Sequence, residues 1–403
     1  MAEGGYMRGT LVRRTWEYNP IHYAPPRYRR ACHYQAFIPD NLTNFAEPLP
    51  GDLVGAVSDA ESAIHQLNAR ALPALAPLAR LLLRSESIAS SKIEGMHVDA
   101  RDLARAEAKL ETGGKAGPNT REILANIDAM ELAIDHATFA QTISVENIVE
   151  IHRILMASAS NQHVAGVIRT EQNWIGGNDY NPCDADFVPP PPEEVSRLLA
   201  DLCEAINEDH LPPIVQAGLV HAQFETIHPF HDGNGRTGRA LIHVVLHRRG
   251  MTPQYVPPIS IVLASSKNGY IRGLSKFREG EFTDWLTTFA SAAAQSAKLA
   301  SAYLSEVEKL QHEWRMQLRA AANPRADAAV WKIIDALPAH PMITVAVAVA
   351  VVERTKAAVS EAMAQLELAG VLIRESQGQR NRTWEARGLL NLLNDLESGI
   401  VPR

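Results

Sequence analysis

The chain has 403 residues, 46% hydrophobic and 21% charged, enough apolar material for two to three compact units and too much for wholesale disorder. With 39 basic against 46 acidic residues the net charge is −7, which excludes a bulk nucleic-acid coat but not a local basic patch. The clearest apolar run, Val345–Val352, is far too short to span a bilayer, and residues 1–10 lack the apolar stretch of a secretory signal. No membrane partner is therefore expected. Cys32, Cys183 and Cys203 lie far apart with no C-x-x-C, so neither a full disulfide framework nor a zinc ribbon is expected, and a cytoplasmic location is the plain reading.

Residues 1–60 are punctuated by prolines and read as an extended N-terminal layer packed on something larger. From 61 to 93 the pattern turns helical, with Pro73 and Pro77 implying a break, and Gly95 placed to stop the helix. A glycine-rich turn then precedes helices at about 119–136 and 145–158. The segment 166–186, rich in Gly, Asn, Asp and aromatic residues, reads as a short hairpin or flap. Four prolines, Pro189 to Pro192, lead into a helix with Glu193 and Glu194 in its first turn, where acids suit the macrodipole. Two further helices, about 214–227 and 235–249, flank His228-Pro229-Phe230-His231-Asp232-Gly233-Asn234-Gly235. Helices resume at 281–321, and Pro324 marks a boundary before three helices and two short strand-like runs. Residues 345–351 alternate like a strand, yet Thr344 as a cap and the alanine content favour helix.

Gly233-x-Gly235-x-x-Gly238 formally matches the dinucleotide fingerprint. That reading needs a preceding strand and an acid about twenty residues on, whereas a helical pattern precedes it and no acid follows until Glu279. A different chemistry fits. Gly233 and Gly235 let successive N–H groups converge on an anion at the positive end of a helix. Arg236 and Arg239, three apart, can lean together towards phosphate oxygens. Asp232 is a hard oxygen ligand suited to Mg²⁺ between phosphates, and His228 can take a proton from a hydroxyl. His243 and His247 are spaced like metal ligands but lack a third, and His221 and His231 read as structural or supporting groups.

The run from His228 to Arg239 matches the Fic-family motif H-P-F-x-D-G-N-G-R-x-x-R at all nine fixed positions. The chain is thus similar to Fic proteins over about 61–290. The resemblance implies a mainly α fold, a helical core with a short β-hairpin flap, and transfer of AMP from ATP to a Tyr, Ser or Thr hydroxyl of a protein target, which can be the chain itself. It implies His228 as the base, Asp232 on Mg²⁺, and Gly233, Asn234 and Gly235 as the anion hole. Arg236 falls to the β-phosphate region and Arg239 to the γ-phosphate. Gly166 to Gly177, with Trp174 and Ile175, resembles the target-docking flap, although both side chains fit simple packing equally well. Ser90-Ser91-Lys92-Ile93-Glu94-Gly95 resembles the family's inhibitory pattern. A salt bridge from Glu94 to Arg239 would deny that arginine to the γ-phosphate. Ile271 and Arg278 stand where some relatives place groups near the adenine, which leaves the nucleotide base open.

The C-terminal unit resembles a winged helix, with residues 355–369 as recognition helix and 378–382 as wing tip. Arg374, Arg380 and Arg382 are candidates for phosphate contacts, and Glu361 and Glu367 weigh against DNA. The expected division is 1–60 for the N-terminal layer, 61–100 for the helical segment carrying the inhibitory motif, 101–322 for the Fic core and linking helices, and 323–403 for the winged-helix unit. A self-inhibited adenylyltransferase is the leading reading. Removal of AMP from a modified protein, with Glu94 activating water, is one alternative, and a DNA-binding regulator with a nucleotide-sensing core is another. Self-association through the helices is a further expectation.

Overall fold

The computed structural model describes residues 9–21, 23–69, 76–111, 113–375 and 382–400. The chain opens with an antiparallel pair, β1 (Gly9–Trp16) and β2 (Cys32–Pro39), in register from Gly9 opposite Pro39 to Trp16 opposite Cys32. Helix α1 (Gly51–Ala69) begins ten residues ahead of the expected start at 61. Its buried stripe of Leu53, Val57, Ala60 and Ile64 already runs at helical spacing there, and Asp52 supplies the acid of the first turn. Pro73, read as part of a kink, lies outside the described residues. Helix α2 (Ala76–Ile93) ends as expected at Gly95, whose φ of 85° lets the Met96 N–H reach back to the Ser91 carbonyl at 3.1 Å.

Helices α3 (Ala100–Glu111), α4 (Pro118–Phe139), α5 (Val145–Met156) and α6 (Pro192–Asn207) follow. Proline opens α4 and α6 at a position where its missing N–H costs nothing. A capping box of Ser144 and Asn147 opens α5. Helix α7 (Pro213–Ile227) is buried on all sides, from Ile214 to Ile227. Helix α8 (Asn234–Arg248) folds back against it. Two short helices, α9 (Ile259–Ser265) and α10 (Lys267–Arg278), then lead into α11 (Phe282–Ala321). At 40 residues α11 is one continuous rod where the sequence suggested several helices. Trp285, Phe289 and Trp314 sink its inner face into the core.

The C-terminal part runs α12 (Ala329–Ala336), β3 (Met342–Thr344), α13 (Val345–Val352), α14 (Lys356–Leu368), β4 (Leu372–Arg374), β5 (Thr383–Ala386) and α15 (Leu389–Glu397). The alternating stretch is helical, and the Thr344 hydroxyl accepts from the Val347 N–H at 3.2 Å. β5 is the centre of a three-stranded antiparallel sheet ordered β3-β5-β4. Of the expected wing tip at 378–382, residues 378–381 fall outside the described residues. Arg101 pairs with Glu385, and Arg105 Nη2 lies 2.9 Å from Glu375, so this part is tied to α3.

The fold adds one link that the sequence reading did not name. Cys32 and Cys183, separated by 151 residues, are joined as a disulfide with a Cα–Cα distance of 6.1 Å. Their partnership is invisible in sequence because β2 reaches the 187–188 segment only in three dimensions, where the Phe37 N–H meets the Val188 carbonyl at 2.9 Å. Cys203 is free, and burial pushes its thiol up to about 12, which leaves it inert. Among the described residues no helix is long and apolar enough to cross a membrane.

Candidate active site

The turn between α7 and α8 is held by its own residues. His228 caps α7 in the left-handed conformation, with φ 49°, a position that non-glycine residues seldom occupy and that marks functional turns. Its carbonyl is gripped twice, by Arg169 Nε at 2.9 Å and by Asn173 Nδ2 at 3.1 Å. Gly233, at φ 75°, caps α8. Asn234 closes the loop, accepting from the Phe230 N–H at 2.9 Å and donating to the Phe230 carbonyl at 2.8 Å. Its side chain is thereby spent on the loop, so an anion could take only its backbone N–H. Phe230 itself is fully buried and stacks on His152 at 3.7 Å between ring centroids.

His152 is one of the residues that sequence reasoning missed. Its Nδ1 accepts from the Gly166 N–H at 2.9 Å, which leaves Nε2 to donate to the Asp232 carbonyl at 2.9 Å. It therefore couples the start of the flap to the loop from beneath. Burial drives its pKa down to about 4, keeping it neutral in that role. Arg169, 1% exposed, is the other: besides the His228 carbonyl it donates to the carbonyls of Glu171, Pro190 and Ile227. Neither residue announces itself locally, since both act on backbone groups distant in sequence.

The predicted polar residues converge on the N-terminus of α8. Arg239 is fully buried there, and Glu94 reaches it from the end of α2, with Oε1 2.8 Å from Nη2. Ser90 adds two acceptors from the same helix, its hydroxyl to Arg239 Nε and its carbonyl to Nη2, each at 2.8 Å. Glu94 lies directly over Gly235, where any Cβ would collide with its carboxylate. Burial opposes ionisation of Glu94, but the Arg239 guanidinium outweighs it and holds the carboxyl below its usual range. Arg236 is buried beside the sulfurs of Met96 and Met156, with Glu122 at 3.7 Å.

Asp232 stays exposed at the mouth of the loop, accepting from Asn161 Nδ2 at 2.9 Å and from the Gly233 N–H at 2.6 Å. Among the described residues no cluster of three or more metal-ligating side chains exists. A single exposed carboxylate fits Mg²⁺, which keeps most of its waters and shares its other positions with phosphate oxygens. His243 lies too deep for a metal and contacts Glu86 of α2 at 3.1 Å, both side chains being 0% exposed.

The flap carries one antiparallel bridge, Ile175 with Phe187. Trp174 packs edge-on against Trp16 of β1, with ring centroids 5.5 Å apart. Tyr180 stacks on Tyr28, and Phe187 leans on Phe37. With the disulfide, these contacts make the N-terminal hairpin the mount of the flap. Burial, together with the positive charges of Arg278 and Arg169, lowers the pKa of His228 to about 4, so its imidazole is neutral at pH 7 and ready to accept a proton.

A mainly helical protein with a paired catalytic-loop helix and a short docked flap has the Fic fold. A Fic family protein from Desulfovibrio desulfuricans superimposes with a TM-score of 0.51 at 17% identity, over 85% of this chain and 98% of that one. Residues 142–246 match the Fic/DOC family and residues 54–135 match the Fic/DOC family N-terminal region. Among curated relatives, protein adenylyltransferase fic-1 of Caenorhabditis briggsae is 36% identical over 118 residues, 28% of this chain and 21% of that protein. Protein adenylyltransferase Fic of Drosophila erecta is 29% identical over 252 residues, 60% of this chain. The chain spans 21% and 46% of the length of these two relatives.

Proposed function

We propose that the chain is a self-inhibited protein adenylyltransferase that moves AMP from ATP to a Tyr, Ser or Thr hydroxyl of a protein target. The acceptor proton passes to His228 Nε2 as the hydroxyl oxygen bonds to the α-phosphorus, the α–β bridge breaks, and pyrophosphate leaves. Gly233 and Gly235 offer backbone N–H groups at the helix end, and Arg236 and Arg239 offer charge for the departing phosphates. Mg²⁺, held by Asp232, would neutralise charge on the phosphates. Trp174 serves to seat the flap on β1, while Ile175, whose N–H and carbonyl both pair with Phe187, fixes the flap against which target backbone would dock.

The observation that carries the inhibited reading is the engagement of Arg239 by Glu94 and Ser90, which takes its Nε and Nη2 and leaves only the buried Nη1 unpartnered. A charge-assisted hydrogen bond is worth about 1.5–3 kcal/mol, so removing Glu94 should raise transfer by roughly tenfold or more. Label transfer from α-labelled ATP with Mg²⁺ tests this. Strong labelling in Glu94→Gly, weak in the unaltered chain and absent in Glu94→Gly with His228→Ala, is the expected pattern. Loss of AMP from a pre-modified protein that depends on Glu94 would instead favour the removal reaction.

The order helix, strand, two helices, two strands over 329–386 supports the winged-helix reading of the C-terminal unit. Its ion pairs to α3 and the Glu367 carboxylate accepting from Trp384 Nε1 at 2.9 Å suit a docking module better than a DNA reader. A DNA probe that the full chain leaves unshifted at low salt is the expected result.

A further inference from the structure

One turn ahead of His228, near the end of α7, stands Glu225. Its side chain is 8% exposed, and Oε2 lies 4.0 Å from His228 Nδ1. Both Nδ1 and Glu225 Oε1 are buried with no hydrogen-bond partner. The spacing of three puts the two side chains on one helix face, and the left-handed turn at His228 holds the ring against the helix it terminates. The backbone carbonyl of Glu225 also faces this ring while accepting from Arg278 Nη2 at 3.3 Å. The carboxylate is the stronger acceptor of the two.

We propose that Glu225 is a positioning residue for His228: its carboxylate accepts the Nδ1–H, leaves Nε2 unprotonated towards the acceptor hydroxyl, and holds the imidazolium that forms when that proton arrives. The gap of 4.0 Å closes as charge develops on the ring, in the way that such contacts tighten only in the loaded site. The proton delivered by the hydroxyl stays on Nε2, the Nδ1 proton stays on Nδ1, and no bond to Glu225 is made. The kinetic half of this inference rests on the transferase reading, whereas the tautomer of His228 does not.

The charged and titratable groups facing the pair are Arg239 from α8, Glu94 from α2, Arg278 and Tyr270 from α10, and Arg169 from the entrance of the flap. Burial raises Glu225 to about 7 even against the pull of Arg239. The two groups titrate as a unit, and its ionisation near neutrality sets an acid limb on the rate.

The test uses the full chain carrying Glu94→Gly, with Glu225→Ala, Glu225→Gln and Glu225→Asp added singly. Single-turnover self-labelling at saturating ATP should fall about 10- to 100-fold in the Ala and Gln variants, a part of what general base catalysis supplies. ATP affinity should stay within about twofold. The limb near pH 7 should vanish in both variants, and Asp should recover part of the rate. Nitrogen-15 NMR of labelled histidine reads the tautomer directly: His228 should carry its proton on Nδ1, keep it there with Gln, which retains an acceptor oxygen, and become mixed with Ala. Unchanged tautomer and unchanged acid limb in Glu225→Ala overturn the assignment, as does a loss of rate matched by an equal loss of ATP affinity. If Glu94→Gly does not label itself, self-modification has failed, and the NMR signal alone decides the role of Glu225.

Discussion

Arg239 is served by three acceptors from a single helix, and removing them should have graded effects. Ser90→Ala takes away only the oxygen facing Nε, leaving a buried N–H without a partner at a cost of about 1–3 kcal/mol. Label transfer in Ser90→Ala should therefore rise above the unaltered chain while staying below Glu94→Gly, with a modest drop in melting temperature. An activity equal to that of Glu94→Gly would mean that Ser90, not Glu94, dominates the contact. The nine motif positions are legible in sequence because they lie in one short loop and helix start, and Glu94 is legible only through the resemblance of its segment, since its partner Arg239 lies 145 residues away. His152, Arg169 and Glu225 are not. The first two act by gripping backbone groups tens of residues away, and Glu225 has no motif around it beyond its distance from His228.

At the level of elements, α2 is fastened to the core by more than its Glu94 end. Glu86 Oε2 accepts from the Ser260 N–H at 2.8 Å, and Oε1 takes the Ser260 hydroxyl and faces His243 of α8. Breaking such a buried charged contact from one side costs about 3–5 kcal/mol. Glu86→Ala should thus lower stability by several degrees and speed amide exchange along α2. It should also raise label transfer although Glu94 is intact; faster exchange with no gain in transfer would separate helix anchoring from inhibition. The flap offers a second element-scale test. An aromatic pair contributes about 0.5–1.5 kcal/mol beyond its buried area, so Trp16→Ala should loosen 174–188. Labelling of a protein target should fall with ATP affinity unchanged, measured by hydrogen exchange and nucleotide titration side by side. Helix positions were readable where buried residues repeat at helical spacing, as in α7, and α1 was cut short in the reading because prolines obscured its first turns. The mounting of the flap was not readable, since its partners lie at the other end of a long connection.

Across the whole molecule, the C-terminal part meets α2 at Glu397 of α15, which faces Arg84 and Lys92 of α2 and Asp99 ahead of α3. Burial raises its carboxyl to about 8. A raised carboxyl pKa favours the protonated folded state, so its contribution is full below the unfolded value and is lost as pH rises through about 8. Glu397→Gln should melt at the unaltered temperature near pH 4 and several degrees higher near pH 9. Equal melting at both values would place Glu397 in water. The mount of the flap carries a different consequence, in time instead of energy. During synthesis the hairpin emerges first, yet Cys183 follows Cys32 by 151 residues. At about 5–20 residues per second that is a wait of roughly 8–30 s. The flap mount can thus close before Arg239 has been made, so on the proposed reading a nascent chain has its dock before Glu94 has an arginine to hold.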